Sequence, residues 1–178
     1  MSASEKSLDE LNADCQALQQ RHDTLLLSTL GAQQAEISYA PYWRDEAGCF
    51  YIFVSELASH TANLQRSGQA SVMFIAAEAE SRNLFARERL IYQCQADEVS
   101  RECDDYAPVL DAMQTRFGNT LAMLRSLPDF HLFRLTPESG SYVVGFGRAY
   151  ELDPATGKLS HLSEERLKQA RASAKRDN

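Results

Sequence analysis

Ser59, His60, Thr61 and Asn63 crowd the start of a short polar helix in a chain of 178 residues. The helix stands between two apolar runs, Phe50–Val54 and Ala70–Ile75, that read as buried strands. Ser59 suits its N-cap and Gly68 its C′ stop. A helix start offers unpaired N–H groups and partial positive charge, so it suits an anion such as a phosphate or a carboxylate. A connecting helix with ordinary caps begins the same way, so the rest of the chain must decide.

A second cluster is basic. Arg82, Arg87 and Arg89 lie within eight positions of one another, and Arg87 and Arg89 are expected on one face of a strand. Two guanidinium groups on one face can clamp a phosphate or carboxylate through paired hydrogen bonds. The plainer reading is a solvated edge strand with Glu88 opposite. The histidines are His22, His60, His131 and His161. His22 follows the first helix and His131 lies in an apolar strand. His60 and His161 sit in polar surroundings, where an imidazole can reach a ligand.

Other chemistries lack their patterns. Cys15, Cys49, Cys94 and Cys103 are scattered, without the spacing of a metal cage. The GFGR run at 145–148 lacks the helix and third glycine of a nucleotide loop, and no GxSxG elbow is present. Net charge is −7, which argues against nucleic-acid binding. Hydrophobic residues make up 44% and charged residues 24%, as in an ordinary globular domain with a sizeable core. No apolar run reaches transmembrane length and the start, MSASEKSLDELNAD, is acidic, so a cytoplasmic protein is expected.

The elements that would hold these residues can be read in order. Leu8, Leu11, Cys15 and Leu18 recur at helical spacing, giving an N-terminal helix within 1–21. The domain proper is expected over 22–157, and 158–178 is expected as a charged tail, helical from Ser160. Strands are expected at Thr24–Leu30, at Glu36–Ala40 with Pro41 at its border, at Cys49–Ser55, Ala70–Ala77 and Arg87–Val99. Trp43–Gly48 reads as a turn. Asp104 and Asp105 cap a helix with Tyr106, Val109, Leu110, Met113 and Phe117 on one stripe, and a shorter helix follows at Thr120–Arg125. Phe130–Leu135, Tyr142–Phe146 and Arg148–Leu152 close the series. Short turns and few crossovers favour an antiparallel β-barrel with peripheral helices, a mainly β (α+β) fold.

Several blocks together carry a resemblance. Ser59-His60-Thr61-Ala62-Asn63-Leu64, followed by Ala70-Ser71-Val72-Met73-Phe74, resembles the split-barrel FMN-binding superfamily that includes pyridoxamine 5′-phosphate oxidase. Ile37–Tyr42, Ala79–Leu90, Asp129–Leu135 and Gly145–Tyr150 are similar to its haem-utilisation (HugZ/HutZ-type) branch. The likeness runs over about residues 20–152.

The resemblance implies a homodimeric split barrel with a ligand at each of two subunit-interface clefts. It implies haem as cofactor, with oxidative haem degradation or intracellular haem utilisation as function. An FMN-binding oxidoreductase and a non-catalytic haem carrier or storage dimer are the alternatives. It further implies that His60 and Arg89 neighbour the ligand, and that Asp129 orients an axial histidine, as carboxylates around metal ligands do. The branch places that histidine near the C-terminus. In the tail SHLSEERLKQARASAKRDN the histidine is His161. The expected site is therefore His60, Arg89 and Asp129 for the chemistry, with Ser59, His60, Asn63, Arg87, Arg89 and His161 around the cofactor and His161 on the haem iron. Tyr39, Tyr42 and Trp43 are the expected aromatic contacts of the dimer.

Overall fold

The computed structural model describes residues 6–162. Helix α1 (Leu8–Gln20) opens on a capping box, in which Ser7 and Glu10 satisfy each other's backbone N–H groups. Strands β1 (Thr24–Leu30), β2 (Ala35–Arg44) and β3 (Phe50–Ser55) follow as hairpins, then helix α2 (Ser59–Ser67) and β4 (Gln69–Ile75). Two 3-10 turns, Glu78–Glu80 and Leu84–Ala86, lead to β5 (Arg89–Val99). Helices α3 (Tyr106–Phe117) and α4 (Asn119–Leu124) precede β6 (Phe130–Gly145), β7 (Arg148–Asp153) and β8 (Lys158–His161).

All strand pairs are antiparallel, in the order β3-β2-β1-β4-β5-β6-β7-β8, and β3 also pairs with β6. That extra pairing closes six strands into a barrel and leaves β7 and β8 as an extension. Closure removes the exposed edges that an open sheet would present. The fold is thus α+β, with a closed antiparallel barrel and peripheral helices, as the pattern of short turns implied.

Alternation decides what fills the barrel. Leu90, Tyr92, Cys94 and Ala96 of β5 point inward, as do Val72 and Phe74 of β4 and Phe50 and Ile52 of β3. Leu11, Cys15 and Leu18 of α1 join this core. A second cluster lies outside β3, where Tyr51 and Phe53 meet Val109, Leu110 and Met113 of α3 and Leu121 of α4.

Several expectations need correction. The N-cap of α2 is Ala58, which makes no side-chain capping bond, and Ser59 is the first helical residue. Its hydroxyl donates instead to Glu36 Oε2 at 2.5 Å. Gly68 does stop the helix, at φ 62°, a left-handed conformation that favours glycine. Strand β2 runs through Pro41 to Arg44, because side-chain alternation and pairing to β3 continue beyond the proline. Arg87 lies just past a 3-10 turn rather than in β5, so it does not share a strand with Arg89. Strand β6 is one 16-residue strand, not two. Its middle absorbs Pro137 beside a register shift against Gln93 and Cys94. His161 pairs with Tyr150 in β8 instead of opening a helix. The charged run expected from 163 lies outside the described residues. Tyr42 is buried in the barrel and Trp43 stacks on Tyr51, which leaves Tyr39 as the exposed aromatic of the three.

Candidate functional site

The start of α2 is tied to its neighbours by short polar contacts. Thr61 Oγ1 donates to the carbonyl oxygen of Ser55 at 2.6 Å. Ser55 Oγ donates to Asp129 Oδ2 at 2.8 Å, and the Glu56 N–H donates to the Asp129 carbonyl at 2.8 Å. Asp129, the first carboxylate before β6, therefore fixes the loop from which α2 departs. His131 sits beside it. Its Nδ1 lies 2.5 Å from Glu98 Oε1 and its Nε2 2.7 Å from Glu56 Oε1, with the side chain 18% exposed. Burial pulls this imidazolium's pKa down, but the hydrogen bonds it donates to the Glu98 and Glu56 carboxylates outweigh it and hold the pKa above the usual value.

His60 is different. Burial pushes its pKa below the ordinary histidine value, against the weaker pull of Glu36, which favours a neutral ring. Its Nε2 is screened from solvent and has no hydrogen-bond partner among the described residues. Leaving such an atom unpaired costs about 1–3 kcal/mol, which a ligand group reaching it would offset. Asn63 faces inward instead. It is buried, its Nδ2 donates to Thr29 Oγ1 at 3.1 Å and its Oδ1 accepts from Arg66 at 2.9 Å. Asn63 thus seats α2 on β1.

The arginines lie at the other end. Glu36 pairs with Thr29, Thr29 with Ala70 and Ala70 with Cys94, so these four form one row across β2, β1, β4 and β5. Arg89 is five positions from Cys94 along β5, about 17 Å at the usual rise of a strand. Arg89 Nη1 donates to the Arg87 carbonyl at 3.1 Å, and no carboxylate pairs with it among the described residues. Arg87 is committed elsewhere: Nε and Nη2 donate to the Ala76 carbonyl, and Nη1 pairs with Glu78 at 3.0 Å. Within one chain the structure brings Ser59 and His60 together, and Arg87 and Arg89 together, but not the two groups with each other.

His161 lies on neither. Its ring packs on Tyr150 at 5.3 Å, and Tyr150 pairs with Tyr142, twelve positions along β6 from Phe130. Of the other histidines, His22 has its ring nitrogens at 2.8 and 3.1 Å from the Leu18 and Ile75 carbonyl oxygens. His22 and His131 are therefore engaged through both ring nitrogens, and His60 and His161 are not. Sequence reasoning had passed over Glu36 and Glu56. Glu56 lies three residues ahead of the helix start in sequence, whereas register and the Ser59 hydroxyl bring Glu36 to it.

Between the two groups spreads a sheet face left uncovered by the described helices. Leu26, Ile37, Met73 and Ile91 line a shallow apolar trough on the outside of β2, β1, β4 and β5, and Tyr39 pairs with Leu26. Ile37 is 82% exposed and Tyr39 67%. The helices α3 and α4 cover β3 and do not reach this face.

A sequence profile of the family described as pyridoxamine 5′-phosphate oxidase matches residues 11–144. The chain belongs to that family. Within it, the chain is 38% identical over 149 residues to heme oxygenase HutZ of Vibrio cholerae, covering 83% of this chain and 84% of that one. The crystal structure of V. cholerae HutZ, described there as a heme storage protein, superposes with a TM-score of 0.66 at 37% identity, over 71% of this chain and 89% of that one. Campylobacter jejuni ChuZ superposes with a TM-score of 0.77 at 26% identity, over 90% of this chain and 65% of that one. The resemblance to the haem-utilisation branch therefore holds in sequence and in fold. Among the described residues no helix is long and apolar enough to cross a membrane.

Proposed function

We propose that two copies of this chain form a dimer that binds haem between them and supports its oxidative ring opening. The observation that carries the reading is the separation of the two polar groups across the bare face of β2, β1, β4 and β5. An uncovered apolar face of this kind marks an interaction surface. Its occupant is a second copy, because a two-fold axis through the middle of the face would stack it on itself. The same axis would bring the His60 end of one chain toward the Arg89 end of the other, so that each cleft draws on both chains.

The residues present fit haem. Arg89 offers N–H donors without a paired carboxylate, which suits a propionate. His60 is a neutral-leaning imidazole with an unsatisfied nitrogen. Bound haem would supply oxygen activation at its iron. Asp129 holds the loop ahead of α2 and so orients His60. His161 is the residue proposed to hold the haem iron and would have to act across the dimer, since its own Asp129 lies at the far end of β6. The chain stays in the cytoplasm in this reading.

FMN is the second reading, favoured by the family profile itself, whose name is that of a phosphate-ligand oxidase. Arg89 of one chain and the α2 start of the other would then hold the flavin phosphate across the dimer. A third, haem storage without turnover, follows from the two descriptions of HutZ. Separate titrations with haemin and with FMN, read by absorption, discriminate the first two. A saturating Soret band at about one haemin per chain, with no flavin binding, is expected. Flavin binding without a Soret band would overturn the haem reading. Loss of the Soret band with a reductant and oxygen is expected of the enzyme, and a Soret band that persists would leave storage.

A further inference from the structure

A second cleft, of about 370 Å³, opens between the two 3-10 turns and the β6–β7 hairpin. Arg82, Arg87 and Arg148 line it, with Asn83, Phe146 and the carboxylates of Glu80 and Glu88. Glu88 is already taken: Tyr142 donates its hydroxyl to it, and Arg21 lies 3.6 Å away. Arg87 is fixed by the Ala76 carbonyl and Glu78. Arg82 and Arg148 have no carboxylate partner among the described residues.

The hairpin holds Arg148 in place. Gly147 takes φ 71°, which turns the chain within two residues and pairs Gly145 with Arg148. A Cβ on Gly145 would lie 2.8 Å from Arg148 Nη2, so an added methyl group would push the guanidinium aside. The same turn pushes Phe146 outward to 82% exposure, and Phe85 on the facing turn is 91% exposed. Guanidinium groups supply planar, paired donors to a phosphate or carboxylate, and aromatic faces take an apolar body.

We infer that this cleft is a separate binding site for a small organic anion, an aromatic or apolar body carrying a phosphate or carboxylate. Arg82 and Arg148 hold the anionic group and Phe146 covers the ring. The assignment does not depend on what the α2 end binds.

Phenyl phosphate is the probe, titrated into the purified full chain by calorimetry, with inorganic phosphate alongside. The wild type should show one saturable phenyl phosphate site per chain, and inorganic phosphate should bind more weakly because it lacks the ring. Arg82→Gln with Arg148→Gln should weaken phenyl phosphate at least about ten-fold, the loss expected for charge-assisted hydrogen bonds. Gly145→Ala keeps both charges yet displaces Arg148, and should weaken binding too. It carries the test if the double variant does not fold. Absence of saturable binding, or unchanged affinity in the variants, would overturn the site. Haemin titration of the double variant should match the wild type. Loss of haemin binding there would merge the cleft with the haem site and overturn its separateness.

Discussion

Glu36 and Arg89 stand at opposite ends of one four-stranded ladder: Glu36 shares a row with Cys94, and Arg89 lies five positions away along β5 on the other face. Glu36 receives the Ser59 hydroxyl at the start of α2. The two ends of the candidate site are thus held apart by the strand ladder, which cannot flex to close the gap. A second chain is the simplest way to join them.

The dimer is tested at the middle of that face. Ile37→Glu puts a charge where an apolar side chain is 82% exposed, so it should cost the isolated chain little. In a dimer stacked there, a buried unpaired carboxylate is strongly unfavourable. Sedimentation should show a dimer for the wild type and a 20.0 kDa monomer for the variant. A wild-type monomer, or a variant that remains dimeric, would reject this face.

Arg89→Ala should weaken haemin more than Arg44→Ala. Arg89 has donors to spare, whereas Arg44 is occupied by the Gly48 carbonyl and the Phe50 ring. A charge-assisted hydrogen bond is worth about 1.5–3 kcal/mol, or roughly 10- to 150-fold in affinity. Soret titrations compare the two variants, and equal affinities would remove Arg89 from the site.

His131 should make stability depend on pH. Its folded pKa is raised above 6.5, so its contribution is complete below that value and is lost as pH rises through the folded pKa. Burial raises the Glu98 pKa, but the bonds from His131 and Gln65 leave it below 4.5, so that carboxylate's contribution is lost as pH falls through its folded pKa. The stability gap between wild type and His131→Gln should therefore be widest between about pH 4.5 and 6.5, and narrow above. Urea melts across this range check it. A gap that grows toward alkaline pH would contradict the clamp.

His161→Ala should abolish a histidine-ligated ferric haem spectrum while leaving the dimer intact. His60→Ala should leave the axial signature and alter ligand affinity. An unchanged spectrum in His161→Ala would eliminate it as the axial residue.

Much of this was legible in the residues. The run Thr24–Leu30 is a strand as read, and Gly68 stops α2 because its φ demands glycine. What failed were places where pairing overrules local signals. The Thr136–Gly140 stretch looks like a turn, but β5 on one side keeps it extended. Tail residues Ser160 and His161 look helical in charge pattern, but β7 offers them a free edge. The site was read as one because the resemblance placed Ser59, His60, Asn63, Arg87 and Arg89 around a single cofactor. Register alone shows that α2 and Arg89 cap opposite ends.

The central claim is that each haem cleft is built from two chains. Mixed dimers test it most directly. His60→Ala and Arg89→Ala chains, each weak in haemin binding, are unfolded together, refolded and titrated with haemin. If each cleft takes His60 from one chain and Arg89 from the other, heterodimers regain one intact cleft, and the mixture shows a tight Soret component absent from both parents. If both residues serve from the same chain, or neither serves, the mixture titrates as the average of its parents, and the two-chain site is wrong.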